Sequence, residues 1–293
     1  MLRTKKSVPV EEIVDFEEEM TLFQQMLDGT SEKRIMFIGE GRGGRGKTCL
    51  LRLMRHRCEE QDIPCVYIDL RGEPYDQPHF SLAREICLGL GLRPQHFLGV
   101  LEAHNLLGGG GTGISVEGRA RDLRVDKVAG GHIIERSQIA INLTVSAEVL
   151  GQRWVQDQMN RAFLDDLNEL LAEKGKAVCL FDGLEQVNDE EERWLIEMVL
   201  CAVREGQLPG LIVVTAGRRY PYLEDDWEWE DIAFFRSQIE PFTEKHIREY
   251  AERVGMTISD EKAREYWLMC KCGVPILMGL VVRNLAQARE VRP

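Results

Sequence analysis

The sequence lacks the long apolar segments of membrane and secreted proteins. No run of about 18 apolar residues occurs, so we predict no transmembrane helix and no membrane partner. Residues 1–10 carry charge, but no apolar core follows them, and the N-terminus therefore does not have the pattern of a signal peptide.

The sequence also lacks cysteine pairs at metal-ligand spacing. Of eight cysteines, only Cys270 and Cys272 lie close together, and no second Cys or His pair accompanies them. Six others fall in predicted helices or strands, where cysteine is a small buried hydrophobe: Cys49, Cys58, Cys65, Cys87, Cys179 and Cys201. This use of cysteine is typical of a reducing compartment, so we expect a cytoplasmic protein.

Positive charge is in short supply. The 293 residues include 37 Lys and Arg against 49 Asp and Glu, a net charge of −12. This balance argues against a protein built to coat nucleic acid, although it leaves a local basic patch open. Hydrophobic residues make up 44% of the chain, which is enough for a large core in one large or two modest domains.

A glycine-rich stretch at residues 41–48 is the most informative feature present. It reads Gly41-x4-Gly46-Lys47-Thr48, a full match to the phosphate-binding loop pattern. An apolar run at residues 35–38 precedes it, and a helical pattern opens at Thr48. A glycine-rich turn could match by accident, but strand, loop and helix in this order are the context that the motif requires. We therefore predict a bound nucleoside triphosphate.

Each residue type in the loop has a physical reason to be there. Glycines allow positive φ and a close approach of the backbone to an anion, and successive N–H groups then form an anion-binding nest. The helix that follows adds the positive end of its dipole. Lys47 would reach the β- and γ-phosphates as a catalytic cation, and the Thr48 hydroxyl would bind Mg²⁺. The predicted nucleotide-binding residues of this loop are Gly41, Gly43, Gly44, Arg45, Gly46, Lys47, Thr48 and Cys49.

Strand and helix patterns alternate along most of the chain. The predicted strands are 35–38, 64–70, 177–182, 211–215 and 232–240, and the predicted helices between and before them are 10–28, 47–60, 81–90, 154–174 and 190–205. Such alternation predicts an α/β fold with a three-layer parallel sheet. After Pro241 only helical patterns remain, at 243–254, 259–270 and 275–290.

We therefore expect three parts in the chain: an acidic N-terminal helix in residues 1–33, a core in 34–240 and a helical domain in 241–293. Residues 105–150 interrupt the core with a Gly-rich insertion that includes four consecutive glycines, 108–111. Apolar and polar residues alternate over 139–145, which is a strand period, so a flexible lead-in and a β-hairpin are expected. Composition favours a disordered loop equally.

Two carboxylates follow the apolar strand 177–182. Asp182 ends the strand, where the ligand lies in an open parallel sheet, and it could hold Mg²⁺ through the metal's water shell. The alternative is a turn or N-cap aspartate. Three residues later, Glu185 is the best-placed carboxylate to orient a water, unless it is a solvated loop charge. Many ATPases carry a second acid directly after the first, and here that position is Gly183.

Arg218 and Arg219 follow the strand 211–215. An arginine at this strand end can contact the γ-phosphate and sense its presence, and we favour Arg218 for that catalytic role. The alternative is a surface pair facing the acidic loop 224–231. Arg42 and Arg45 of the glycine-rich loop could add charge near the nucleotide or project into water.

The order of these motifs resembles the nucleotide-binding module of the STAND class of signal-transduction ATPases, which includes the NACHT and NB-ARC modules and prokaryotic relatives of the AAA-like branch. The similarity covers most of the chain except residues 105–150. It rests on Phe16-Glu-Glu-Glu-Met20, the loop 41–48, Asp182-Gly-Leu-Glu-Gln, the strand leading to Arg218, Glu240-Pro-Phe-Thr-Glu and Gly273-Val-Pro275.

The resemblance implies a P-loop NTPase core of the additional-strand type followed by a small all-helical lid domain. It implies ATP or ADP rather than GTP as the nucleotide, with Pro275 packed near the adenine and Arg218 sensing the γ-phosphate. No Asn/Thr-Lys-x-Asp guanine motif occurs in the sequence. Members of the class usually continue into a winged-helix domain and a repeat sensor, so a longer protein or partners acting in trans are expected.

The predicted function is a slowly hydrolysing ATP switch whose nucleotide state is coupled to conformational change and assembly, with protein partners or self-assembly. Two alternatives stay open. One is an AAA-like ATPase of the loader or transposition type that acts on DNA, which the acidic balance does not favour. The other is a nucleotide-binding scaffold without turnover, which would use residues 105–150 as its interaction surface.

Overall fold

The computed structural model describes residues 13–14, 16–39, 41–72, 78–103, 131–134, 153–223, 226–271, 273 and 278. The statements below concern these residues. Within them no helix is both long and apolar enough to cross a membrane.

The elements follow the predicted alternation. The strands are β1 (Ile35–Ile38), β2 (Cys65–Asp69), β3 (Gly131–Ile134), β4 (Ala177–Asp182), β5 (Leu211–Ala216) and β6 (Ala233–Arg236). The helices are α1 (Glu17–Asp28), α2 (Lys47–Glu60), α3 (Pro78–Gly89), α4 (Gln95–Ala103), α5 (Arg153–Lys174), α6 (Asp189–Trp194), α7 (Cys201–Arg204), α8 (Glu244–Arg253) and α9 (Asp260–Met269). A π-helical segment, Leu195–Leu200, joins α6 to α7.

The six strands form one parallel sheet in the order β3-β2-β4-β5-β1-β6. β5 lies between β1, which leads into the glycine-rich loop, and β4, which ends in Asp182. A strand inserted at this place defines the additional-strand type, so the predicted fold class is confirmed. Because all the strands are parallel, their carboxyl ends meet at one edge.

Helices cover both faces of the sheet, as the side chains of the strands require. Ile35 and Phe37 of β1 contribute to one core, whereas Met36 and Ile38 contribute to the other. The first core also contains apolar side chains of α3 and α5, and the second contains those of α1 and α2. A strand period of two residues sends alternate side chains to opposite faces, which gives the three layers.

A third cluster lies in the C-terminal helical region. Phe242, the α8 residues Ile247 and Tyr250, and Cys270 are buried in it together with Val14 from the N-terminal segment. The Trp267 indole N–H donates to the Phe242 carbonyl at 2.7 Å, and the Phe242 N–H donates to the Gly273 carbonyl at 2.9 Å. The N-terminal segment therefore packs with the helical region, while the boundary predicted near residue 241 stays a prediction.

Several elements differ from their predicted extent. α1 begins at Glu17 rather than near residue 10, because Phe16 has φ 71° and a left-handed residue cannot continue the helix. α4 was not predicted, and β3 places a strand within the insertion at 131–134. The alternating stretch 139–145 and most of the predicted helix 275–290 lie outside the described residues.

The N-terminus of α4 depends on one buried carboxylate. The buried Asp166 of α5 accepts hydrogen bonds from the backbone N–H groups of His96 and Phe97, each at 3.0 Å. These amides belong to the first turn of α4, where the helix itself provides no carbonyl to accept them. We expect Asp166→Ala to lower the free energy of unfolding by about 1–3 kcal/mol, because two backbone donors, of which the Phe97 amide is buried, lose a charged partner. Urea denaturation measures the change. The neighbouring, exposed Asp165→Ala is the control, and equal stabilities of the two variants would contradict this role.

Candidate nucleotide-binding site

The glycine-rich loop joins β1 to α2, and it turns where the sequence places glycine. Gly44 has φ 78° and Gly46 has φ 94°, values that side chains with a Cβ rarely adopt. Gly46 stands directly before the first residue of α2, and its carbonyl accepts the Leu50 N–H at 2.9 Å. The loop therefore delivers the chain into the helix N-terminus with its amides at the anion-binding end.

Two glycines also make room for aromatic rings. A Cβ on Gly39 would come within 2.4 Å of the Tyr220 ring, and a Cβ on Gly46 would come within 2.7 Å of the Phe16 ring. Phe16 is buried, and its ring meets Phe242 edge-on with centroids 6.3 Å apart. The base of the loop thus packs between the N-terminal segment and the loop after β5.

Lys47 and Thr48 open α2 with their side chains at the loop. The Lys47 Nζ donates to the Arg42 carbonyl at 3.2 Å, so the ammonium group lies over the loop it is predicted to serve. The Thr48 hydroxyl donates to Asp182 Oδ2 at 2.6 Å. Arg42 is exposed and Arg45 is half-buried.

Asp182 is the centre of the site. Its carboxylate is 3% exposed, and a single oxygen, Oδ2, accepts from three side chains. These are the Thr48 hydroxyl at 2.6 Å, the Tyr67 hydroxyl at 2.7 Å and Arg71 Nη2 at 3.0 Å. Asp182 and its β2 register partner Asp69 end adjacent strands, so tertiary pairing brings these groups to one edge of the sheet.

The donor set suits Mg²⁺. Hydroxyl and carboxylate oxygens are the ligands that this ion prefers, and a hydroxyl that donates its proton keeps its lone pairs for a metal. The 2.6 Å bond from Thr48 to the buried Asp182 is compatible with that arrangement. Thr48 and Asp182 therefore fit the metal role expected from the sequence, which stays a prediction.

The surroundings of Asp182 keep its partners in their donor forms. Burial, and then the negative charge of Asp182, raise the pKa of the Tyr67 hydroxyl well above its usual range, so Tyr67 stays protonated. The hydrogen bond to Asp69 raises the pKa of Arg71 further above its already high value. Arg71 chelates Asp69 through Nε at 2.7 Å and Nη2 at 2.8 Å.

Glu185 lies on the short 3-10 helix Leu184–Gln186, which follows Gly183. Its Oε2 accepts the Arg218 backbone N–H at 2.9 Å, and its Oε1 lies 3.5 Å from Arg218 Nε. A Cβ on Gly217 would come within 3.1 Å of Oε2, which is a tight contact. The predicted water-positioning carboxylate and the predicted sensor arginine are therefore in contact.

Arg219 has a different environment from Arg218. Its guanidinium binds both oxygens of the buried Glu192 at 2.7 and 2.8 Å, and its carbon lies 4.2 Å from the centroid of the Tyr222 ring. The hydrogen bond from Glu192 raises the pKa of Arg219. Arg218 is 62% exposed, so of the two it is the arginine that can turn toward a ligand. The alternative to the sensor role was a surface pair facing the loop 224–231, and Arg219 instead binds Glu192 of α6.

Sequence patterns missed Tyr67, Arg71 and Phe16. The signal available for Arg71 was its place just after the strand 64–70, since polar groups after neighbouring parallel strands share one edge. Tyr67 lies within that strand. Phe16 gave no such signal. Pro275, predicted near the adenine, lies outside the described residues.

Comparisons with known proteins agree with this architecture. No protein-family model matches the chain, and no curated protein sequence matches it. Among solved structures, it is similar to Aeropyrum pernix Orc1 in complex with DNA, with 12% identity, a TM-score of 0.50, and coverage of 96% of this chain and 62% of that one. At this identity the similarity shows the fold alone, a parallel sheet of the additional-strand type with helices on both faces.

Two further structures have lower TM-scores. The Thermotoga maritima RuvB Holliday junction branch migration motor has 12% identity, a TM-score of 0.43, and coverage of 96% of this chain and 68% of that one. The replication initiator DnaA bound to AMPPCP and single-stranded DNA has 11% identity, a TM-score of 0.45, and coverage of 97% and 64%. The chain thus spans about two thirds of the length of these proteins.

The close approach at Gly46 predicts that adding a single methyl group there lowers the stability of the protein. Gly46→Ala combines positive φ with a contact of 2.7 Å to the Phe16 ring, whereas a Cβ on Gly43 would meet no atom within 4 Å. We expect Gly46→Ala to lower the free energy of unfolding by about 1–3 kcal/mol and Gly43→Ala to change it by less than about 1 kcal/mol. Thermal and urea denaturation of both variants provide the measurement. A Gly46→Ala protein as stable as Gly43→Ala would show that the loop does not require this geometry.

Proposed function

We propose that this chain is an ATP-binding, slowly hydrolysing ATPase of the signal-transduction type, in which nucleotide state controls conformation and assembly. The observation that carries the proposal is the 2.6 Å bond between Thr48, in the first turn of α2, and the buried Asp182 at the carboxyl end of β4. A phosphate cradle and a metal-ligand pair meet there. Glu185 and Arg218 stand at the same edge.

Different residues would bind different parts of the triphosphate and its metal. The loop amides and the α2 N-terminus bind the phosphate oxygens, and Lys47 reaches the β- and γ-phosphates. Thr48 and Asp182 would hold Mg²⁺, which when bound neutralises charge on the phosphates. Tyr67 fixes the orientation of Asp182 through its 2.7 Å bond.

Hydrolysis would depend on Glu185. Its carboxylate orients the attacking water, and its bonds to the Arg218 backbone and side chain hold it in place beforehand. When a γ-phosphate attracts Arg218, the 3.5 Å contact between the Arg218 and Glu185 side chains breaks. The Glu185 carboxylate can then accept a hydrogen bond from the attacking water. We expect slow turnover, because position 183, directly after Asp182, is a glycine. The carboxylate that orients the water is then Glu185, three residues beyond Asp182.

The N-terminal segment offers a physical route from the nucleotide to the helical region. Phe16 lies against Gly46 at the end of the loop and meets Phe242 edge-on, while Val14 is buried among the helical side chains. We expect residues 241–293 to act as a lid over the base, with Pro275 near the adenine. A change at the loop would then move the lid and expose or cover an assembly surface.

The setting of the protein is part of the same proposal. None of the seven cysteines among the described residues is in a disulfide, and most are buried, which supports a cytoplasmic location. The expected partners are other proteins or further copies of this chain. The Orc1 and DnaA structures contain DNA, but with a net charge of −12 we retain DNA only as an alternative partner.

Lys47→Ala tests the nucleotide switch. We expect ATP affinity to fall about 30- to 100-fold, because a charge-assisted phosphate contact is lost. The solution mass of the wild type should differ between ADP and a non-hydrolysable ATP analogue, and the variant should not show this difference. Lys245→Ala on α8, an exposed lysine paired with Glu249, is the control. A mass shift that persists in Lys47→Ala would contradict the switch.

Glu185→Gln separates an enzyme from a scaffold. We expect the variant to bind ATP normally and to hydrolyse it about 10²- to 10³-fold more slowly in a single turnover, because a general base contributes an effect of this size. The exposed Glu190→Gln is the matched control. A wild type without turnover would indicate the scaffold, and strong stimulation of turnover by single- or double-stranded DNA would indicate the DNA-associated ATPase.

A further inference from the structure

Arg71 stands where a cation is expected at the nucleotide site. Its Nη2 donates to Asp182 Oδ2 at 3.0 Å, on the oxygen that also accepts from Thr48. The same guanidinium is chelated by Asp69 at 2.7 and 2.8 Å. One arginine thus bridges the carboxylates that end two adjacent strands, β2 and β4.

The backbone beside Asp182 is shaped to admit this side chain. Gly183 has φ 84°, and a Cβ there would lie 2.5 Å from the Arg71 Cγ and 3.2 Å from its Cδ. Any larger residue at this position would displace the arginine stem. An acid at position 183 would therefore clash with Arg71 in its present place, whereas the glycine leaves room for it.

The electrostatics of the two carboxylates are unequal. Asp182 is 3% exposed, and a buried carboxylate needs a counter-charge because it has lost its water. Asp69 is half-buried, with 35% of its side chain exposed, and it accepts two side-chain bonds from Arg71, which would keep the guanidinium nearby if it left Asp182. Arg71 itself is 45% exposed, so part of its side chain already faces solvent.

Mg²⁺ would compete for the same place. A hydrated Mg²⁺ held by Thr48 needs lone pairs on Asp182 for its water shell, and Oδ2 already accepts from three donors. Two cations beside one carboxylate also repel each other. Mg²⁺ and the guanidinium would therefore compete for Asp182 Oδ2.

We propose that Arg71 is a built-in counter-ion of Asp182, which Mg²⁺ displaces when nucleotide binds and which Asp69 then retains. In this arrangement Arg71 keeps the metal-free site folded and raises the Mg²⁺ concentration that the site needs. Because Arg71 follows β2, its release from Asp182 would also change the contacts of the chain after β2 when the metal binds. The inference rests on the proposed nucleotide function and adds a positioning residue to it.

The test is a Mg²⁺ titration of nucleotide binding to the full chain. A fluorescent, non-hydrolysable ATP analogue is held at fixed concentration, and the Mg²⁺ concentration at half-maximal binding is compared between the wild type and Arg71→Gln. We expect this concentration to fall about fivefold in Arg71→Gln, the size of a partly exposed ion pair. Arg71→Lys, which keeps the charge but not the fork, should fall between the two.

Arg57→Gln is the matched control. Arg57 on α2 is also 45% exposed and pairs with a carboxylate, Glu60, at 3.3 Å, but that carboxylate is not in the site. Its titration should follow the wild type. In EDTA, Arg71→Gln should also unfold at a lower temperature than Arg57→Gln, and this difference should shrink when Mg²⁺ and the nucleotide analogue are added.

The outcomes are distinct. A half-point that is unchanged or higher in Arg71→Gln would overturn the inference, since Arg71 would then be neutral or a ligand of the bound nucleotide. If Arg71→Gln does not fold, Arg71→Lys alone decides by the same comparison. A wild type that binds no ATP analogue at any Mg²⁺ concentration would instead refute the proposed function.

Discussion

The buried carboxylate of Asp182 is the constraint on which the site depends. It lies at the end of a central strand, almost without water, and a charge in that position must be satisfied by the protein. Three elements supply the donors: Thr48 from α2, Tyr67 from β2 and Arg71 from the chain after β2. The same bonds therefore hold the glycine-rich loop, the second strand and the site in one geometry.

Close packing around glycines links this site to the rest of the molecule. At Gly46 the turn of the glycine-rich loop leaves just enough room for Phe16, whose ring also meets Phe242 at the entry to the helical region. At Gly183 the missing side chain admits Arg71. Interiors packed at this density transmit small displacements, because neighbouring groups have no free volume in which to absorb them. The turn at Gly46, the N-terminal segment and the entry to the helical region are therefore joined by direct contacts.

Much of the fold could be predicted from the sequence because its signals are local. Apolar runs such as 35–38 and 177–182 have the length and flanking residues of buried strands, and β1, α2 and β4 have the predicted bounds. The glycine-rich loop carries its own conformational requirements, and Asp182 and Glu185 were visible as carboxylates after a buried strand. The start of α1 was missed because the left-handed conformation of Phe16 follows from its packing between Gly46 and Phe242, not from its neighbours in sequence.

By itself, then, the sequence determined the strand and helix pattern, the glycine-rich loop and the candidate acids, since each depends on residues that are close together in the sequence. Only the tertiary structure decided which of these groups meet. The strand order put Tyr67 and Arg71 beside Asp182. The fold of the segments after β4 and β5 gave two adjacent arginines different partners, Glu185 for Arg218 and Glu192 for Arg219. Such contacts join residues far apart in the chain, and their selection depends on burial, charge and space that exist only once the sheet has formed.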